Sequence, residues 1–235
     1  MSTSNLDETP AQPWAEPPPR EQPDERPVKE PLFNAPWQAV AVTALIVVGY
    51  GVQTLFPADA VLGAYAFAPI NLAPGLWETA ITAIFLHGGW AHALMNGAFA
   101  LAFATPVARF FGPKLEGALL FFGLYLLAGV LANLAYAAVH LGSHEPLVGA
   151  SGAVSGFMGA AARLIGGRGR VGPVFSKAVL ALGGSWIAVN LIIAVVGGSF
   201  FPGAGQAGVA WEAHLAGFAA GVLLIGPLGR LTPRN

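Results

Sequence analysis

Ser151 stands in the run Gly149-Ala150-Ser151-Gly152 at the head of a long apolar stretch, and His214 opens another. A serine hydroxyl is a weak nucleophile until a base takes its proton. A neutral imidazole, titrating close to pH 7, is the natural base. The pair suggests acyl transfer by a serine hydrolase working inside a bilayer, where polar groups are expensive and call for a function or a structural excuse. Upstream, His92 and Asn96 are spaced i, i+4 and so share one helix face. With the backbone N–H of Ser151 they are the candidate donors for an oxyanion. No orienting carboxylate is evident. Glu212 is two residues from His214, on a different face, and Asp59, Glu78 and Glu145 fall in loops. A Ser–His dyad without an acid is the simpler reading.

The elements that must position these residues are membrane helices. The chain has 235 residues, 55% hydrophobic and 10% charged, with mean hydropathy +0.62, whereas a soluble domain is about 25% charged. The net charge of −1 gives no bulk field for nucleic acid. The absence of cysteine excludes thiolate catalysis and cysteine metal sites. His140 and His144 are too few for a metal site, and none is expected. Residues 1–10 lack a basic n-region and an apolar h-region, so no cleavable signal peptide is expected. Residues 1–36 hold nine of the 19 prolines and seven of the 12 acidic residues, a composition that reads as a disordered tail.

From Trp37 the chain is apolar almost to its end. The runs are continuous rather than alternating, which reads as helices and not as a β-barrel. Six stretches of about 20 residues, the length that crosses hydrocarbon, fall at 37–56, 88–108, 115–139, 149–166, 175–197 and 211–229. Lys and Arg lie before the first, between the second and third, between the fourth and fifth, and after the sixth. The positive-inside rule then makes both termini cytoplasmic, including a short tail at 230–235. In that frame His92, Asn96, Ser151 and His214 come from three spans that all enter from the outer side, and they share one depth. Gly152, Gly156 and Gly159 form a stripe on the fourth span, and His214, Gly217 and Gly221 form one on the sixth. Small residues at such spacings let membrane helices approach closely. The two stripes are expected to face each other and bring Ser151 to His214.

Gly149-Ala150-Ser151-Gly152, Ala213-His214-Leu215-Ala216-Gly217 and the upstream His87, His92 and Asn96, in that order over six spans, resemble the rhomboid family of intramembrane serine proteases. The resemblance covers residues 37–229 and implies an all-α, six-transmembrane-helix bundle. It implies that Ser151 is the nucleophile and His214 the general base, that His92 and Asn96 support the oxyanion, and that His87 is structural. Residues 57–86 would form a partly embedded outer element, and the fifth span a lateral gate. The implied substrates are single-span transmembrane proteins, cut in or near the membrane segment, with the lipid bilayer as surroundings and no cofactor. The expected location is a bacterial inner (plasma) membrane, with the site opening to the outer, periplasmic side.

The chain also departs from the family pattern. The tyrosine common four residues after the serine is Ser155, so another group must orient His214, with Trp211 and Phe157 as candidates. The Trp-Arg pair of the first loop reads Trp77-Glu78, and the acidic-basic pair after the second span reduces to Arg109. Two other functions compete. A non-catalytic rhomboid-like protein that binds transmembrane clients would usually lack the serine or the histidine. A small transporter would show an ionisable relay or an inverted repeat.

Overall fold

The computed structural model describes residues 34–196 and 209–232. The chain divides after Asn34, and every described helix belongs to the unit Ala35–Asn235. The tail expected at residues 1–36 therefore lies outside the described residues except for its last three, as do residues 233–235 of the short C-terminal tail. Eight α-helices are described: α1 (Trp37–Gln53), α2 (Ala58–Tyr65), α3 (Thr79–Thr82), α4 (Trp90–Phe111), α5 (Leu115–Val139), α6 (Ser151–Gly166), α7 (Lys177–Val196) and α8 (Trp211–Arg230). No strand occurs among the described residues; Phe67 and Leu147 form an isolated antiparallel bridge.

Four helices, α4, α5, α7 and α8, are long and apolar enough to cross a membrane. The other two expected spans are shorter: α1 has 17 residues and α6 has 16. The local chemistry explains where the helices start and stop. Gly149 holds φ +129, which a helix does not accept, so α6 begins at Ser151 rather than at 149. In the other direction, α4 runs past Pro106 and Arg109 and stops only where Gly112 turns to φ +82.

The serine-bearing helix is the centre of the bundle. Twelve of the 16 residues of α6 are buried, and α4, α5, α7 and α8 all pack against it. Such encirclement requires small side chains. A Cβ on Gly217 would collide with the Gly152 carbonyl oxygen, and one on Gly221 with that of Gly156. The glycine stripes of α6 and α8 thus meet backbone to backbone. Gly152 and Gly156 present their own open sides to Ala132 and Ala128 of α5, so the α6 stripe serves two neighbours. Lipid tails are as apolar as leucine, and the gain from such contacts is close dispersion packing rather than the hydrophobic effect. Lower in the bundle, Phe157 stacks on Phe121 with ring centroids 4.7 Å apart and tilts against Tyr125 at 5.6 Å.

Helix α7 is packed least. Val179, Gly183 and Asn190 are its buried positions, one narrow stripe on an otherwise exposed or half-buried helix. The segment between α1 and α4 folds into α2, α3 and two short 3-10 turns, Pro69–Leu72 and Ala83–Phe85. It clamps the chain that leads into α6. Phe67 and Leu147 exchange backbone hydrogen bonds, and the Gly149 N–H donates to the Ala83 carbonyl at 2.9 Å. The Asn133 side-chain amide, buried on α5, donates to the Ala80 carbonyl at 2.8 Å.

Candidate active site

Ser151, His92 and His214 lie in the first turns of α6, α4 and α8, which start at the same end of the bundle. The close glycine contacts between α6 and α8 leave the Ser151 Oγ 2.9 Å from the His214 Nε2. Both residues are half-buried. The other imidazole nitrogen, Nδ1, is 2.8 Å from the Asn190 side-chain oxygen on α7. An amide oxygen can only accept, so the Nδ1 hydrogen of the neutral ring is committed to Asn190. That leaves Nε2 bare, and the Ser151 hydroxyl donates to it. A hydroxyl held in this way can lose its proton as its oxygen attacks a carbonyl carbon.

Asn190 and Trp186 are the residues that sequence reasoning missed. Trp186, one turn before Asn190, lies beside the His214 ring with centroids 5.7 Å apart and planes tilted by 34°. Its carbonyl accepts from the Asn190 Nδ2 at 2.8 Å. The groups that meet the His214 ring from this side therefore come from α7, whereas Phe157 is packed against Phe121 and Tyr125. Ser155, where the family's tyrosine would stand, is buried, and its Oγ has no partner among the described residues. Glu212 is directed elsewhere and meets His140 Nε2 at 3.0 Å.

His92 borders the serine from another side. A Cβ built on Gly149 would lie 2.9 Å from His92 Nε2 and 3.7 Å from Ser151 Oγ, so all three groups share one small space. The Gly88 N–H points at His92 Nδ1 from 3.5 Å, which favours the tautomer with its hydrogen on Nε2, facing Gly149. Asn96, one turn further along α4, is buried, and its Nδ2 has no partner among the described residues. A buried donor without an acceptor costs about 1–3 kcal/mol, a cost that a bound carbonyl oxygen would relieve.

His87 is buried beneath this layer. Its backbone is pinned by Gln53, which donates to the His87 carbonyl at 2.9 Å and accepts from its N–H at 3.0 Å. Its ring edges onto His92 at 5.2 Å and Tyr50 at 6.3 Å. Desolvation, helped by the neighbouring His92, pulls its pKa down to about 3, so the ring is neutral. A cleft of about 300 Å³ lined by Pro106, Arg109, Phe110, Leu164, Ile165 and Gly169 lies at the opposite ends of α4 and α6 and borders none of these groups. No cluster of three or more potential metal ligands occurs among the described residues.

The Rhomboid domain family model matches residues 74–231, more than half of the chain. The chain belongs to the rhomboid family, and with its four long apolar helices it is an integral membrane protein. A search of curated proteins returned no match.

Proposed function

We propose that this protein is an intramembrane serine endopeptidase that cuts single-span membrane proteins in or near their transmembrane segments. Rhomboid proteins are in general proteases of this kind, although some members are inactive. The observation that carries the reading is the 2.9 Å contact between Ser151 Oγ and His214 Nε2. Inactive relatives have no need to keep such a pair, so the non-catalytic alternative is not favoured.

In the proposed reaction the Ser151 oxygen attacks the scissile carbonyl carbon while its proton passes to His214 Nε2. His92 Nε2–H, the Asn96 amide and the Ser151 N–H stabilise the oxyanion. The tetrahedral adduct collapses to an acyl-enzyme, and His214 returns the proton to the leaving amine. Water, deprotonated by the same nitrogen, then hydrolyses the ester and restores the serine.

The shortness of α6 suits this chemistry. Sixteen residues span about 24 Å, less than the ~30 Å of hydrocarbon. In the proposed six-span frame, with both termini cytoplasmic, α6 starts below the outer surface and Ser151 occupies its recessed tip. Water can reach that depth through a polar opening on the periplasmic side. The setting that goes with this topology is a bacterial inner membrane.

Labelling by a serine-directed fluorophosphonate tests the nucleophile. Wild-type protein in detergent is expected to react, with the adduct mapped to Ser151. His214→Ala is expected to remain unlabelled while staying folded. A folded wild type that does not label would favour the client-binding reading.

A further inference from the structure

We propose that Asn190 is a positioning residue that fixes the tautomer of His214, so that a third helix, α7, completes the hydrolytic site. This inference rests on the reading of Ser151 and His214 as nucleophile and base. The geometry is a one-way chain of hydrogen bonds. The Trp186 carbonyl can only accept, so the Asn190 NH₂ group must face it, at 2.8 Å. That fixes the amide and turns its oxygen toward His214 Nδ1, at 2.8 Å. The imidazole then carries its hydrogen on Nδ1 and offers a bare Nε2 to the serine, at 2.9 Å. A reversed amide would give both the ring and the hydroxyl the wrong hydrogen, and the serine could not hand over its proton.

Burial supports the assignment. Asn190 is 0% exposed on a helix whose other positions are mostly exposed. Without a polar partner an asparagine there would be costly, and its oxygen has one, the His214 ring. The ring is also covered by Trp186 from the same turn of α7. Because α7 is the least packed of the long helices, the orientation of the base depends on where that helix lies. A displacement of α7 away from α8 would release Nδ1 and disable the serine without touching it.

The other groups that could supply this function are absent or engaged. Glu212, on the same helix as His214, is paired with His140. From α4, the titratable group that interacts with His214 is His92, a base rather than an acid. From α6 and α7, Arg163 and Lys177 lie at the opposite end of the bundle.

The test uses the full chain in detergent micelles, with ¹⁵N-labelled histidine, in wild type, Asn190→Ala and Asn190→Asp. In wild type the His214 Nδ1 signal is expected to be protonated and Nε2 bare. In Asn190→Ala the two tautomers are expected to mix. Cleavage of a transmembrane reporter should fall about 10- to 100-fold in kcat in Asn190→Ala, the size of loss seen when a hydrogen-bond partner that orients a metal-bound histidine is removed, with KM little changed. Asn190→Asp should recover much of the rate, since it keeps the acceptor. Its negative charge favours imidazolium, so the acid limb of the kcat/KM profile should move to higher pH. The proposal is overturned if the wild-type ring carries its hydrogen on Nε2. It is also overturned if Asn190→Ala leaves the tautomer as in wild type, or if Asn190→Asp leaves the acid limb where it was, the results expected of a merely structural asparagine. The tautomer is read whether or not the protein cuts anything. A wild type with the expected tautomer and no cleavage would count against the protease reading alone.

Discussion

Gly221 on α8 is seated against the backbone carbonyl of Gly156 on α6, with no room for a methyl group between them. The same relation holds one turn nearer the site, between Gly217 and Gly152. These two contacts set the separation of the helices that carry His214 and Ser151. Hydrogen-bond distance between the two side chains is a consequence of glycine at those positions.

A methyl group at either site should force the helices apart. Gly221→Ala and Gly217→Ala are expected to lower stability by about 1–3 kcal/mol, the usual cost of overpacking. They should also slow cleavage by widening the Ser–His gap. At Gly49 and Gly123 an added methyl group would meet nothing within 4 Å, and alanine there should be neutral or stabilising by up to about 1 kcal/mol. Unfolding in a mixed-micelle titration distinguishes the two classes.

Asn96 is expected to act on the transition state rather than on binding. Its buried Nδ2 has no partner among the described residues and would find one in a developing oxyanion. Asn96→Ala should lower kcat roughly 100- to 1000-fold while KM changes little. A rise in KM at constant kcat would instead make Asn96 a binding residue.

Glu212 is close to His214 in sequence, yet it should not matter to the rate. It pairs with His140, whose side chain is 36% exposed. Pairs exposed to this extent contribute about 0–1 kcal/mol. Glu212→Gln is therefore expected to change kcat by less than about 5-fold, the rate equivalent of about 1 kcal/mol. A loss as large as that of Asn190→Ala would mean that a carboxylate helps the base after all.

Much of this arrangement can be read from residue order. Ser151, His214 and His92 each stand where an apolar run begins, and three helix starts at one end of a bundle bring their first turns together. The glycine spacings on α6 and α8 announce a close crossing. Asn190 gives no such signal. An asparagine inside an apolar run looks the same whether it bonds its own backbone one turn back or reaches a neighbouring helix, and here it does both. The start of α6 is displaced for a similar reason: hydropathy runs through Gly149, while φ +129 does not continue a helix. The partner of Glu212 depends on where the α5 terminus lies, which composition does not encode. Residue order also makes Ser155 conspicuous as a departure without naming the groups that meet the His214 ring, because those groups, Trp186 and Asn190, lie on a different helix.

The most direct measurement of the central claim is cleavage of a single-span transmembrane reporter by purified protein in liposomes, wild type beside Ser151→Ala. The account predicts one cut in or near the reporter's membrane segment by wild type. It predicts a loss of about 10⁶-fold in Ser151→Ala, as when the nucleophile of a serine protease is removed. Equal cutting by the two proteins, or none by a wild type whose Ser151 and His214 remain in contact, would contradict it.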